Sequence, residues 1–260
     1  MIGKAGDPVT SLGQAYPDRV EVRGRDLAGD QMGPVTVTEY FHLLLTGQEP
    51  TDEQHFFLDL VRVALAEHGL MPTNVAARMT LAAAPDALQG AVAAGILGAG
   101  SVVLGTSAAC AELLEQMQTV VATGRAPAAV ADATAREMHA AGGKVPGFGH
   151  PVHKPVDPRA ERILELADER RVSGAHIALA RALRQAVADT WGKPLTLNVS
   201  MAIAAVMLDL GFPSASVRAV PILARTASLL AHLAEEEEHP LGFLMASKAE
   251  EAIEYRPPAE

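Results

Sequence analysis

The sequence predicts an all-α protein, and three observations support this class. Only residues 20–22 and 35–37 have the β-branched character that is typical of strands, and both segments are short. Alanine and leucine dominate the rest of the chain, whereas aromatic residues make up only 4%. Apolar residues between the glycines and prolines recur at the spacing of one helix face, so we expect helices along the whole chain.

The helices follow in order from apolar spacing, caps and breaks. Thr38 is expected to cap the first helix and Gly47 to end it. Pro127 suits the first turn of a later helix that Gly142 stops, and Pro221 is a candidate break in the last one. The predicted helical regions are residues 38–47, 51–69, 86–104 including an irregular exit, 107–123, 127–141, 159–171, 174–190, 197–210 and 217–238.

The helical pattern breaks near residues 105 and 211, which predicts two lobes. We expect residues 1–104 and 212–260 to form a large helical domain and residues 105–211 to form a smaller one. A chain of 260 residues can bury roughly 70–75% of the surface that its unfolded form exposes, which is enough for such a pair.

Charge and cysteine content limit the classes of partner. The net charge of −10 argues against nucleic acid or an anionic membrane as a partner. The single cysteine, Cys110, excludes an intrachain disulfide framework, fits a cytoplasmic location and is expected to be buried among alanines. Residues 1–7 contain no apolar core of signal-peptide length, and polar residues and glycines interrupt the apolar stretch 88–104, so no membrane span is expected.

A glycine-rich segment carries the clearest functional signal. Glycine lets the backbone approach a ligand closely, and histidine and arginine supply a proton-transfer group and a fork for carboxylates. The segment consists of Val145, Pro146, Gly147, Phe148 and Gly149, followed by His150, His153 and, after Asp157-Pro158, Arg159. Asp157 and Pro158 are expected to begin a helix whose N-terminus favours an anion beside Arg159.

Other candidate residues are ambiguous in the sequence alone. The spacing of His150 and His153 also occurs in zinc sites, but no clustered cysteine or acidic ligand accompanies the pair, so no metal is expected. Arg225 lies in an apolar segment, and its partner is either a structural carboxylate or a substrate carboxylate. His68, at the end of a predicted helix, is by itself a common surface position.

Several segments together resemble the citrate synthase family, which includes the citryl-CoA lyases and the C-terminal module of ATP-citrate lyase. The most specific is Val-Pro-Gly-Phe-Gly-His followed by Asp-Pro-Arg, which resembles the family's Val-Pro-Gly-Tyr-Gly-His and Asp-Pro-Arg. The similar segments are residues 22–27, 40–51, 145–150 with 157–159, 224–232 and 255–257. The short chain is more similar to a bacterial citryl-CoA lyase than to a full citrate synthase.

The resemblance implies a citrate synthase-like all-α homodimer with a carboxylate site. The residues that it assigns to the dicarboxylate or citrate portion are His68, His150, Arg159, Arg225 and Arg256. Arg256 would reach across to complete the partner subunit's site. Residues 145–149 would lie against coenzyme A, whose thioester is a substrate, and no permanently bound cofactor is implied.

Two positions depart from the family pattern. Leu104 stands where the family has a histidine that stabilises the enol, and Ser200 stands where it has the carboxylate base. The catalytic positions are therefore His150 and Ser200, and serine has no proton-accepting pKa near neutrality without an adjacent base. The leading hypothesis is an enzyme that cleaves or forms a C–C bond between an acyl-CoA thioester and an oxo-carboxylate. The alternatives are a member with altered chemistry, using another proton donor such as His153, and a non-catalytic binder of citrate or a CoA ester.

Overall fold

A computed structural model describes residues 8–258 and confirms the all-α class, while residues 1–7 lie outside the described part. Twelve α-helices and three short strands are found within the described residues. The helices are α1 Val37–Thr46, α2 Asp52–Ala66, α3 Pro72–Ala83, α4 Leu88–Leu97, α5 Thr106–Val121, α6 Pro127–Ala140, α7 Pro158–Glu169, α8 Ala175–Trp191, α9 Val199–Asp209, α10 Ser214–Val217, α11 Ala219–Glu238 and α12 Gly242–Ala252.

The chain forms two compact units, one ending at Asp59 and one beginning at Leu60. The first contains the antiparallel strands β1 (Gly13–Ala15), β2 (Val20–Val22) and β3 (Arg25–Asp26), in the order β1-β2-β3. A short π-helical turn, Leu27–Gln31, follows β3. The strand-like segment 20–22 is thus confirmed, but residues 35–37 form no strand because Thr36 begins α1.

Thr36, rather than Thr38, caps α1. Its side chain accepts a hydrogen bond from the backbone N–H of Glu39, and the Glu39 carboxylate accepts from the Thr36 N–H, which completes a capping box. Thr38 is the second residue of the helix and is buried. Gly47 ends the helix with a φ of 78°, as its lack of a Cβ allows.

Within the second unit, two groups of helices pack among themselves. Helix α11 packs against α3 and α4, and α12 packs against α3. Their shared apolar core consists of Ala77, Leu81, Ala91, Leu229 and Leu233. The other group is α5 to α9, in which α9 contacts α5, α7 and α8 and is buried at residue 199 and along residues 201–208. The division into domains at residues 105 and 211 stays a prediction.

Two helices and one junction differ from expectation. Helices α3 and α12 were not predicted, and neither has a side-chain hydrogen bond at its N-cap. Pro221 does not interrupt α11, because it is the third residue of that helix, where its missing N–H needs no intrahelical partner. Within the described residues, the stretch 214–238 is long and apolar enough to cross a membrane by composition alone, but α11 contributes Leu229 and Leu233 to the protein core.

Asp209 joins the end of α9 to the beginning of α8. Its buried carboxylate accepts hydrogen bonds from the backbone N–H groups of Gly174, His176 and Ile177 at 2.8, 2.9 and 3.0 Å. The pKa of Asp209 is lowered: burial opposes the shift, but the hydrogen bonds from His176 and the backbone outweigh it. A Cβ on Gly174 would lie 2.8 Å from the Asp209 carboxylate, so only glycine fits there without a shift.

We predict that Asp209→Asn lowers the free energy of unfolding at pH 7 by about 1.5–3 kcal/mol, because an amide cannot replace a carboxylate with several donors. Since the folded pKa lies below the ordinary value of 3.8, the contribution is present above that pH and is lost as the pH falls below it. Thermal unfolding of the unmodified protein and of Asp209→Asn, measured from pH 7 to pH 2.5, should show the difference in stability between them become smaller. Asp189→Asn, at an exposed position on α8, should change stability by less than about 0.5 kcal/mol, and an equal loss in both variants would contradict the prediction.

Candidate carboxylate-binding site

Three histidine rings converge in the second unit. The ring centroids of His150 and His153 are 4.4 Å apart, and each lies 5.8 Å from the ring of His68. His68 is in the turn between α2 and α3, whereas the other two lie in the irregular segment before α7. The structure therefore brings together two predicted site residues and His153.

Backbone contacts fix the proton position on His150. Its Nδ1 atom accepts hydrogen bonds from the backbone N–H groups of Val152 and His153, at 3.1 and 2.8 Å. Burial lowers the pKa of His150, and the nearby His153 and Arg159 charges add to this effect against the opposing charge of Asp157. The ring is therefore neutral at pH 7 and carries its proton on Nε2, where it is a hydrogen-bond donor.

Asp157 holds Arg159 beside that donor. The buried Asp157 carboxylate accepts from Nε and Nη2 of Arg159 at 3.1 and 3.0 Å, and it also accepts from the Arg159 backbone N–H as the N-cap of α7. The Arg159 Nη2 atom lies 3.5 Å from Nε2 of His150. Two donors face each other there, which is an arrangement that an anionic oxygen between them would satisfy.

Arg225 has buried donors without partners. The residue is only 3% exposed, and its Nε and Nη1 atoms make no hydrogen bond to any described residue. Burial lowers the pKa of Arg225; the Glu67 carboxylate raises it, and the Arg159 charge lowers it further. Because an unpaired buried guanidinium is costly, this side chain suits a carboxylate that arrives with a ligand.

A hydrogen-bond network holds the turn that carries His68. The Glu67 carboxylate accepts from Ser228 Oγ at 2.6 Å and lies 3.0 Å from Nε2 of His232. Asn74 Nδ2 donates to the backbone oxygen of Gly69 at 2.7 Å. Because Glu67 and Gly69 flank His68, these bonds to α3 and α11 fix its backbone. The pKa of Glu67 is lowered: burial opposes the shift, and the bond from Ser228 leads those that outweigh it.

The glycine loop, which is the glycine-rich segment of residues 145–149, packs against the beginning of α9. Asn198 N–H donates to Gly147 O at 2.9 Å, and Asn198 Nδ2 donates to Gly149 O at 3.0 Å. A Cβ on Gly147, whose φ is 80°, would lie 2.6 Å from Met201 Cβ and 2.8 Å from Cys110 Sγ. Gly149, with a φ of 89°, has open space where a Cβ would be. The first glycine therefore permits close packing, and the second leaves room for a ligand.

The other predicted positions are in four different environments. Ser200 is the second residue of α9, partly buried, and its hydroxyl makes no hydrogen bond within residues 8–258. Leu104 lies in the turn before α5 with a φ of 66°, a strained angle for leucine. Arg256 is exposed and pairs with Glu254 at 2.8 Å, so the single chain does not bring it to the histidines. Cys110 is fully buried, as expected, and burial raises the pKa of its thiol.

The three histidines also satisfy the distance criterion for a metal site, since one nitrogen from each lies within 4.8 Å of the others. The chemistry of this donor set favours an anion instead. Nδ1 of His150 is occupied by two backbone N–H groups, and its Nε2 carries the proton. The Arg159 guanidinium lies beside that nitrogen, where it would repel a cation.

Two residues with structural contacts, Glu67 and Arg78, were not predicted from the sequence. The partners of Glu67 lie 161 and 165 residues away, so their contacts depend on the packing of α11. Arg78 is likewise buried, and its guanidinium donates to Glu236, Glu235 and the backbone oxygen of His239 at 2.6, 2.6 and 3.0 Å. Arg78 is thus a structural arginine, whereas Arg225 is not paired in the same way.

The fold and this cluster define an all-α protein with converging hydrogen-bond donors and arginines in one site. The family model "Citrate synthase, C-terminal domain" matches residues 18–242. The chain therefore belongs to the citrate synthase family, as the resemblance of its motifs implied.

Individual relatives agree with this family. "Putative citrate synthase 2" of Mycobacterium tuberculosis is 31% identical over 222 residues, covering 82% of this chain and 55% of the relative. "Citrate synthase-like protein" of a Phoma species is 26% identical, covering 85% of this chain and 47% of the relative. The chain thus spans about half the length of these curated relatives.

Solved structures give the same fold. A citryl-CoA lyase from Hydrogenobacter thermophilus is similar with a TM-score of 0.84 and 28% identity, covering 98% of this chain and 97% of the other. An ATP citrate lyase from Methanothrix soehngenii, in complex with citrate and coenzyme A, has a TM-score of 0.77 and 20% identity. It covers the whole of this chain and 43% of the other, and at that identity it supports the fold alone.

We predict opposite effects from removing the two buried arginines. Arg225→Met should leave unliganded stability unchanged or raise it by up to about 1–3 kcal/mol, because it removes unsatisfied donors. Arg78→Met should lower stability by about 3–5 kcal/mol, because it leaves Glu236 buried without its partner. Thermal unfolding of both variants measures the difference. An equal loss in Arg225→Met would show that Arg225 has a structural role, contrary to this prediction.

Proposed function

We propose that this protein is a citryl-CoA lyase-like enzyme, which cleaves or forms a C–C bond between an acyl-CoA thioester and an oxo-carboxylate. The single observation that carries the proposal is buried Arg225, whose Nε and Nη1 have no hydrogen-bond partner within residues 8–258. This side chain is near Arg159 and beside the turn that carries His68. The similarity to a citryl-CoA lyase along nearly the full length of both chains supports this reaction class.

The proposed roles follow from charge and donor position. Arg159 and Arg225 bind carboxylates through their planar forks, and His68 adds a third contact from its fixed turn. His150 donates from Nε2 and polarises the oxygen at the reacting carbon. Its Nδ1 is unavailable for taking a proton, so His150 acts as a donor rather than as a base.

In this proposal the acyl-CoA thioester binds beside the glycine loop. Residues 145–149 contact coenzyme A, and the open space at Gly149 lets the backbone approach it. Coenzyme A enters and leaves as part of the substrate, and no permanent cofactor is needed for this bond cleavage. Arg256 completes the site of a partner subunit in a homodimer. The two lobes meet near residues 105 and 211, and the protein acts in the cytoplasm.

The second candidate function is a non-catalytic binder of citrate or of a CoA ester. Ser200 and Leu104 favour it, because serine without an adjacent base is not a general base and leucine has no donor that could stabilise an enol. Loss of one general base commonly reduces a rate by roughly 10²–10⁴-fold. A binder would keep the carboxylate contacts without turnover.

The proposal predicts that purified protein converts citryl-CoA into acetyl-CoA and oxaloacetate. His150→Ala should lose most of this activity, because its Nε2 donor acts on the reacting oxygen. Mass spectrometry of the CoA products and a coupled assay of oxaloacetate would measure both proteins. Turnover by the unmodified protein that does not exceed that of His150→Ala contradicts the proposed enzyme.

Ligand binding should depend on Arg225 whether or not the protein is catalytic. We predict that citrate at about 100 times its Kd stabilises the unmodified protein by about 2.7 kcal/mol. Arg225→Met should weaken citrate binding by at least roughly 30-fold, since losing one side of a buried charge pair costs about 2 kcal/mol or more. Arg136→Met, at an exposed position on α6, is the control that should bind normally. Stabilisation by citrate without any product would favour the binder over the enzyme.

A further inference from the structure

His153 is the third member of the histidine cluster, and the carboxylate-binding roles leave it unassigned. It is partly buried, with its ring centroid 4.4 Å from that of His150 and the two ring planes tilted by 30°. Its ring nitrogens have no hydrogen-bond or ion-pair partner among residues 8–258. His153 therefore presents an uncommitted imidazole next to a histidine whose proton position is fixed.

The main chain holds His153 in this position. Its N–H donates to Nδ1 of His150 at 2.8 Å, and its carbonyl oxygen accepts from Thr196 Oγ1 at 3.2 Å. The Thr196 hydroxyl also lies 3.0 Å from the carbonyl oxygen of Pro155. These contacts involve backbone atoms of residue 153, so a change of its side chain leaves them in place.

His68 is the other imidazole of the cluster, and the proposed function assigns it to carboxylate binding. The remaining proton acceptors near the site are occupied. Nδ1 of His150 accepts two backbone N–H groups, and the Asp157 carboxylate binds Arg159 and the Val199 N–H. The Glu67 carboxylate is held by Ser228, His232 and the Gly69 N–H. Imidazole with a pKa near neutrality is the side chain best suited to accept and return a proton at pH 7.

We infer that His153 is the general base and acid of the reaction, in the role that Ser200 cannot fill; this assignment rests on the proposed function. Its imidazole takes the proton from the hydroxyl of the citryl thioester, and that alkoxide becomes a ketone as the adjacent C–C bond breaks. The electron pair of the broken bond forms the thioester enolate. The His153 imidazolium then returns the proton to the enolate carbon, which releases acetyl-CoA and oxaloacetate and leaves the imidazole neutral.

Substitution at three histidines tests the inference. His153→Gln and His153→Ala should reduce kcat for citryl-CoA cleavage by roughly 10²–10⁴-fold while the KM and the citrate Kd change by less than about threefold. Added imidazole should restore part of the activity of His153→Ala. His68→Gln, in the same cluster, should instead weaken citrate binding, and His139→Ala, at an exposed position on α6, should behave as the unmodified protein.

The outcomes separate the two proposals. If the unmodified protein turns over citryl-CoA but His153→Gln keeps more than a third of its kcat, the role of His153 is wrong and the lyase stands. If His153→Gln loses citrate binding to an extent that accounts for its lost activity, the role is also overturned, because His153 is then a binding residue. A kcat loss confined to His68→Gln assigns the base to His68 instead. Absence of turnover in the unmodified protein overturns the lyase and the role of His153 together.

Discussion

The carboxylate of Asp157 is the interaction on which the site depends. It is fully buried and caps α7. It accepts two hydrogen bonds from the Arg159 guanidinium and one from the Val199 N–H at the beginning of α9. Burial raises its pKa, but the bonds and charge of Arg159 outweigh this and hold the pKa below the usual range. One side chain thus fixes the direction of Arg159, the beginning of α7 and the position of the helix that carries Ser200.

Buried charge in this molecule serves two purposes, which two arginines illustrate. Arg78 is 1% exposed and has carboxylate and carbonyl partners, so it joins α3 to the end of α11. Arg225 is nearly as buried, but two of its nitrogens have no hydrogen-bond partner in the described part of the chain. Helix α11 also buries Leu229 and Leu233 in the core, and this apolar burial opposes the unfavourable desolvation of Arg225. In the proposed function, such an arginine is already positioned and dehydrated before a carboxylate binds, which strengthens binding.

Much of the fold and part of the site could be predicted from the sequence. Helical apolar spacing found most helices. The structure places His68, His150 and Arg159 close together, and the roles of these residues, of Arg225 and of Arg256 stay predictions. Helices α3 and α12 were not predicted, although α3 begins at Pro72, the same first-turn signal that predicted the helix beginning at Pro127. The proton position on His150 was not predicted either, because it depends on how the backbone after residue 150 places the N–H groups of Val152 and His153. The network of Glu67 joins residues more than 160 positions apart, which local patterns do not encode.

The packing of Gly147 has a consequence for how this family is recognised. A side chain there would collide with Met201 and Cys110, whatever chemistry the neighbouring histidines perform. This chain therefore needs glycine at position 147 for its packing, independently of any turnover of a thioester. Glycine at this position thus reports how the loop packs, and the proposed chemistry depends on the side chains around it.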